Sequence, residues 1–220
     1  MALIIETRAV APFHKNGFVV ACDSSREAIF IDPGDEVDGL LRFVESHGLS
    51  VGLILLTHAH MDHVSGVARA KRATGARIGV HRDDVFLYNA AVDQGRVFGY
   101  SLEQPPPPDF DLGAEGPLAF GGCEVRVHHT PGHSPGGVCL QVGGPGVAET
   151  HLFVGDTLFA GSIGRTDLPG GDYTTLMRSI KDVLFGFGDA AIVHAGHGPD
   201  TTIGRERATN PFLNPGGYLP

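Results

Sequence analysis

The sequence predicts a layered α/β protein made of two similar halves. Three observations lead there. The chain opens on short β-type runs, strand–helix alternation then occurs twice over, and polar residues stand at the ends of apolar runs, the edge where open α/β sheets gather ligands. No short-period repeat is present, which argues against a solenoid.

Each element has its own signal. Leu3–Glu6, Phe18–Ala21 and Ala28–Ile31 read as strands, the last stopped by Asp32-Pro33-Gly34. From Glu36 to His47, Val37, Leu40, Leu41 and Val44 follow the spacing of one apolar helix face, and Gly48 closes that helix. A strand at Val51–Leu56, a helix from about Val64 to Thr74 and a strand at Arg77–Val80 come next. Residues 83–103 look helical and mixed, and the proline run at 104–109 reads as a stiff exposed connection. The second half repeats the alphabet: strands near Leu118–Phe120, Glu124–His128, Val138–Val142 and Leu152–Val154, a helix over Tyr173–Phe185, a strand at Ala191–His194, and a short helix from near Thr202. The halves divide at about residues 110 and 111, and the Pro- and Gly-rich tail 210–220 is expected to be loosely packed.

Composition narrows the function. With 220 residues, 42% of them hydrophobic, and 32 glycines, the chain can bury a sizeable core as one large domain. Sixteen basic against 25 acidic residues leave −9, which disfavours nucleic acid as a partner. No apolar run reaches the roughly 20 residues a membrane span needs, and the N-terminus lacks the features of an export signal. Cys22, Cys123 and Cys139 are odd in number and without CxxC spacing. A reducing cytoplasm fits best; the oligomeric state is not legible.

The stretch LLTHAHMDH places His58, His60, Asp62 and His63 within six positions directly after an apolar strand. Burying such groups without partners is costly, so their clustering makes sense around a divalent cation. His58 and His60 are two apart, which on extended backbone turns both rings to one side. Three more polar residues follow strands and glycines: His133 in HHTPGHSPGG, Asp156 in LFVGDTLF and His197 in IVHAGHGP. Alone each reads as a turn residue; together with the first cluster they read as a site. His14, His47, His81, His128, His129, His151 and His194 read as structural, Asp32 as a tie between a turn and the site loop, and the cysteines as core.

THAHMDH, GHSPG, GDTLF and GHGP, in this order over nearly the whole chain, resemble the metal motifs of the metallo-β-lactamase fold superfamily. GDTLFAGSIGRTDLPGGD and GHGPDTTIGRERATNPFL are more similar still to short glyoxalase II-like hydrolases. The resemblance implies a four-layer αβ/βα sandwich with the metal site at one edge between two mixed sheets. It implies that His58, His60 and His133 hold one metal, that Asp62, His63 and His197 hold a second, and that Asp156 bridges the two. Asp62 and Asp156 are then the catalytic carboxylates.

The donor set suits two divalent ions, zinc first, with iron or manganese also compatible. Two such ions sit roughly 3.5–4 Å apart and can hold a hydroxide that attacks a thioester carbonyl. The thiolate leaving group needs little protonation near neutral pH. The expected partner is a small thioester, glutathione-linked by the resemblance, such as S-lactoylglutathione. Arg165 could face an anionic substrate, though pairing with Asp167 is favoured; Tyr173 could line the mouth, though packing at a helix start is favoured. The alternative is a persulfide dioxygenase, which the chain also resembles at GRTD and which would use one iron on His58, His133 and Asp156. The proline run and the TTIGRERATNPFL ending tilt towards the hydrolase. A β-lactamase, a nuclease and a non-enzymatic binding module rank lower.

Overall fold

A computed structural model describes residues 2–214. Two six-stranded sheets face each other. The first uses β1 (Leu3–Arg8), β2 (Gly17–Cys22), β3 (Glu27–Ile31), β4 (Ser50–Leu55), β5 (Arg77–Val80) and β6 (Phe110–Asp111), in chain order. Its opening pairs are antiparallel, whereas β3 to β6 run parallel. The second half adds β7 (Leu118–Phe120), β8 (Cys123–His129), β9 (Val138–Gly143), β10 (His151–Gly155), the hairpin β11 (Leu158–Phe159) and β12 (Ser162–Ile163), then β13 (Ile192–Ala195) and β14 (Thr201–Thr202). Its sheet runs β14-β13-β10-β9-β8-β7, with β10 and β13 parallel.

Alternation along the strands explains the layering. In β2, Phe18, Val20 and Cys22 face the opposite sheet while Val19 and Ala21 face helices; β3 does the same with Ile29 and Ile31 against Ala28 and Phe30. In β10, Phe153 joins the inter-sheet core and Leu152 and Val154 the far helical face. Three apolar layers therefore separate four structural ones. Each buried Leu, Ile or Phe contributes about 1.5–3 kcal/mol against exposure. All three cysteines lie in these layers. The fold is the αβ/βα sandwich the motifs imply.

The outer helices are α1 (Val37–Ser46), α2 (Met61–Val64), α3 (Val67–Thr74), α4 (Val85–Asn89), α5 (Ala91–Val97), α6 (Tyr173–Arg178) and α7 (Ile203–Thr209). The helix expected from Val64 starts earlier, at Met61, and breaks at Ser65–Gly66. Gly66 there passes so close to the Asp32-Pro33-Gly34 turn that a Cβ would lie 2.1 Å from Gly34 O. The helix expected over Tyr173–Phe185 is α-helical only to Arg178; a widened π turn and a tight 3₁₀ turn carry it to Phe187. The proline run is only partly exposed. Pro105 is buried, and Pro106 O accepts the Tyr88 hydroxyl at 2.7 Å.

The expected loose tail is pinned at its start. Asn210 is fully buried and donates to Ser162 O and Glu206 Oε2, both at 2.9 Å, and Leu213 packs on the outer core of the second sheet. Residues 215–220 of that tail lie outside the described residues.

Candidate metal centre

Every predicted donor stands where a strand ends. His58, His60, Asp62 and His63 follow β4, His133 follows β8, Asp156 follows β10 and His197 follows β13. Both sheets thus deliver donors to one edge. His58, His60, His63 and His133 are buried, and the Asp62, Asp156 and His197 side chains are mostly so.

The donors converge in two groups. His58, His60 and His133 each place a nitrogen within 4.8 Å of the others, as do Asp62, His63 and His197 with their donor atoms. Asp156 lies between the groups. Its Oδ1 is 3.4 Å from His63 Nε2, and its Oδ2 is 3.6 Å from His133 Nε2 and 3.5 Å from His197 Nε2. Asp62 Oδ2 is 3.3 Å from His197 Nε2.

Surrounding bonds fix which atoms face inward. Arg165 O lies 2.8 Å from His133 Nδ1, so that nitrogen carries the proton and donates, leaving Nε2 unprotonated as an acceptor 2.8 Å from His60 Nδ1. Asp32 takes the Nδ1 proton of His63 at 2.9 Å and also accepts from Thr57 N at 2.7 Å. Asp32, His58 and His63 form another close group, but these bonds make Asp32 an orienting residue, as the sequence indicates. Lys15, itself buried, donates to Glu36 Oε1 at 2.7 Å and to Asp32 O, bracing the same turn.

Four buried polar atoms here make no hydrogen bond: Nε2 of His58, His60 and His63, and Asp156 Oδ1. An unsatisfied buried group costs about 1–3 kcal/mol. Five imidazoles and two carboxylates with four such orphans are a fitting donor set for divalent cations; a ring-to-ring bond from His60 Nδ1 to His133 Nε2 at 2.8 Å leaves those four atoms unmet.

The electrostatics divide the donors: His58 and His60 are neutral, whereas His63 would have to release a proton to bind an ion. Burial, helped by the neighbouring imidazoles, holds His58 well below the usual range and His60 down to about 3, so both are neutral, metal-competent rings. Burial also opposes charge on His63, but Asp32, Asp62 and Asp156 outweigh it and raise that imidazole to about 10. Burial would raise Asp62 and Asp156, yet both are held below the ordinary carboxylate range, chiefly by His63. They are ionised acceptors.

Two residues that the sequence does not flag organise the loops. Asp84 Oδ2 accepts from Ala59 N at 2.9 Å and Ser134 Oγ at 2.8 Å, and its Oδ1 from Gly136 N at 2.6 Å. It therefore ties the His58–His63 loop to the His133 loop. Asn16 donates to Ala195 O at 3.0 Å and Gly198 O at 2.7 Å, and Lys15 forms a bridge with His197, so the first half holds the His197 loop. A lone Asp before a helix and an Asn-Gly pair carry no signal beyond a cap and a turn.

A cavity of about 220 Å³ opens onto these donors, with Phe13, Met61, Gln94, Phe98, Arg165 and Leu168 in its wall. Arg165 is held by Asp167 through two 2.7 Å bonds, as favoured above. Tyr173, the first residue of α6, is 53% exposed and is not among the residues lining that cavity. A larger groove, about 690 Å³, runs along Arg8, Arg42 and His47 and holds none of the donors.

A family model described as the metallo-beta-lactamase superfamily matches residues 10–197. The chain belongs to the metallo-β-lactamase superfamily. It is 39% identical to a Haemophilus influenzae protein named hydroxyacylglutathione hydrolase GloC, over 96% of this chain and 98% of that one. It is 33% identical to the Bacillus subtilis probable metallo-hydrolase YqgX, covering 93% and 95%. Among solved structures, TTHA1623 in a di-iron-bound form matches with a TM-score of 0.82 at 39% identity, covering 94% and 100%. BLEG-1, a B3 metallo-beta-lactamase, matches at 0.84 and 36%, covering 96% and 99%. The family match spans β2 to β13 and includes all seven donors.

Proposed function

We propose that this protein is a dinuclear metal-dependent hydrolase of a small acyl thioester, with a glutathione thioester such as S-lactoylglutathione as its substrate. The observation that carries the reading is the paired donor groups with Asp156 between them. His58, His60 and His133 would hold one ion, Asp62, His63 and His197 the other, and Asp156 both. Convergence of Asp62, His63 and His197 favours two ions over the single iron of a persulfide dioxygenase. The relative named hydroxyacylglutathione hydrolase supports the thioester class. Zinc suits the nitrogen and oxygen donors, as do iron and manganese; the di-iron-bound neighbour supports the latter group. A cytoplasmic setting agrees with three buried cysteines.

Bound divalent ions would supply acidified water, a polarised carbonyl and stabilisation for the oxyanion. The chain's own residues do the rest. Asp32 and Arg165 O set the tautomers of His63 and His133. Asp62 and Asp156, kept ionised, are positioned to accept protons from water entering the centre. Phe13, Met61, Phe98 and Leu168 give the cavity an apolar wall that limits competing water. The thiolate departs unprotonated, so no further acid is required.

Elemental analysis of purified protein, paired with turnover of S-lactoylglutathione, tests this. Two metals per chain with cleavage are expected, and Asp156→Ala should lose several kcal/mol of transition-state stabilisation, roughly a thousandfold in rate. One iron per chain, no cleavage, and oxygen uptake with glutathione persulfide would replace the hydrolase by the dioxygenase. Preference for a β-lactam in the same assay would overturn the thioester class.

A further inference from the structure

Cys22 and Cys123 meet at the edge of the sandwich remote from the metal centre. Cys22 ends β2, Cys123 begins β8, and both side chains belong to the core between the sheets. The turn after β2 packs on the turn before β8. A Cβ placed on Gly121 would come within 3.0 Å of Cys22 Cβ, and Gly121 N donates to Glu27 Oε2 at 2.9 Å. Across this seam the Cys123 thiol donates a hydrogen bond to the Cys22 sulfur. β2 starts beside Lys15 and Asn16, which hold the His197 loop, so five residues of strand, roughly 17 Å, separate the pair from that loop.

The two thiols are unlike. Ser24 Oγ lies 3.3 Å from Cys22 Sγ, and its hydroxyl, with help from the Ser25 backbone, lowers that thiol to about 6 against the opposing effect of burial. Cys22 is therefore mostly thiolate at neutral pH. Burial, and then the bond to Cys22, push Cys123 up to about 12, so it keeps its proton. Cover over the pair is thin. Ser24 and Ser25 are exposed, and Cys123 lines a surface groove of about 520 Å³ with Gly122, Gly144 and Pro145. At 0% and 2% exposure the two residues favour a small oxidant over a bulky one. Cys139, by contrast, lies in the outer core of the second sheet, where burial alone pushes its thiol far up.

We propose that Cys22 and Cys123 are a site of reversible oxidation by hydrogen peroxide, forming a disulfide that clamps one sheet to the other. The Cys22 thiolate attacks one peroxide oxygen; the S–O bond forms, the O–O bond breaks, and the departing hydroxide takes a proton from solvent, leaving a sulfenic acid. Cys123 then gives up its proton and attacks Cys22 Sγ. The S–S bond forms, the S–O bond breaks, and the hydroxide leaves with that proton as a second water. Two thiols lose two electrons and one peroxide gains them. A small thiol reductant restores the pair by exchange.

Peroxide treatment of the metal-loaded protein, followed by thiol titration in denaturant and peptide mass mapping without reductant, tests this. The three thiols of the unaltered chain should fall to one, with the Cys22 and Cys123 peptides linked, and return to three with dithiothreitol. Under the same dose Cys22→Ser should keep both of its thiols, and Cys123→Ser should lose one to a sulfenic acid that a dimedone probe captures. The linked peptide is read on the unaltered chain, so the outcome does not depend on how either variant folds. Survival of all three thiols, over-oxidation of Cys22 with no link, or loss of Cys139 alongside the pair would overturn the proposal. Thioester turnover enters none of these readouts, so this inference and the hydrolase reading fail separately.

Discussion

The Asp84 carboxylate accepts three hydrogen bonds from two loops, and an asparagine amide cannot accept all of them. Asp84→Asn would turn an NH₂ group towards a donor and loosen Ala59, Ser134 or Gly136. Outer partners of metal ligands typically matter by about 10–100-fold in metal affinity. That fall should appear in competition with a chelator, while the metal-free chain melts near its unaltered temperature; unchanged affinity would refute the linking role. At this scale the sequence is most legible where it is most costly. His58, His60, Asp62 and His63 crowd six positions that no cap requires, and His133, Asp156 and His197 repeat a glycine-then-donor pattern after apolar runs. Asp84 and Asn16 escape because hydrogen bonding to backbone is what such residues do everywhere.

Asp109 shows how a single side chain fastens an element. Its Oδ2 accepts from Lys71 Nζ at 2.9 Å and Ile78 N at 2.7 Å, docking the proline run on β5 and α3. Those two bonds hold its carboxyl below the ordinary range. Stabilisation from a depressed carboxylate is full above its unfolded value and fades as pH falls through the folded one. Asp109→Asn should therefore cost under about 1 kcal/mol at pH 7, since the pair is partly exposed. The difference in urea midpoint from the unaltered chain should close as pH falls below the ordinary carboxylate range. A gap that persists in acid would assign the effect to shape rather than charge. Long elements with a clear period, such as α1 and β2 to β5, are legible. Two-residue strands such as β6 and β14 are not, because pairing rather than pattern defines them. The break after Val64 and the π turn after Arg178 arise from close backbone approach and outer packing, which no local window contains.

Across the whole molecule, two halves of similar make meet face to face, and the donors come from both. Ligands that bind only the folded form add about 4 kcal/mol at a thousandfold excess over Kd. For a domain of this size that corresponds to roughly 8–16 °C in Tm. Stripping the centre with a strong chelator should lower Tm by that order, with recovery on adding zinc; an unmoved Tm would show that the sandwich is indifferent to its ions. The layered architecture is legible from strand–helix alternation. The order of strands within each sheet is not, because hydrogen-bonding partners lie far apart in sequence: Ile192 in β13, for example, pairs with His151.

The chain passes from one sheet to the other once, between Asp111 and Leu118, and the donors are strung out from His58 to His197. A ribosome making this protein releases the four early donors long before the three late ones. The group of His58, His60 and His133 can gather once residue 133 is made, whereas the group of Asp62, His63 and His197 waits for residue 197, so a product stalled between the two would hold one group and leave the other short of its last donor.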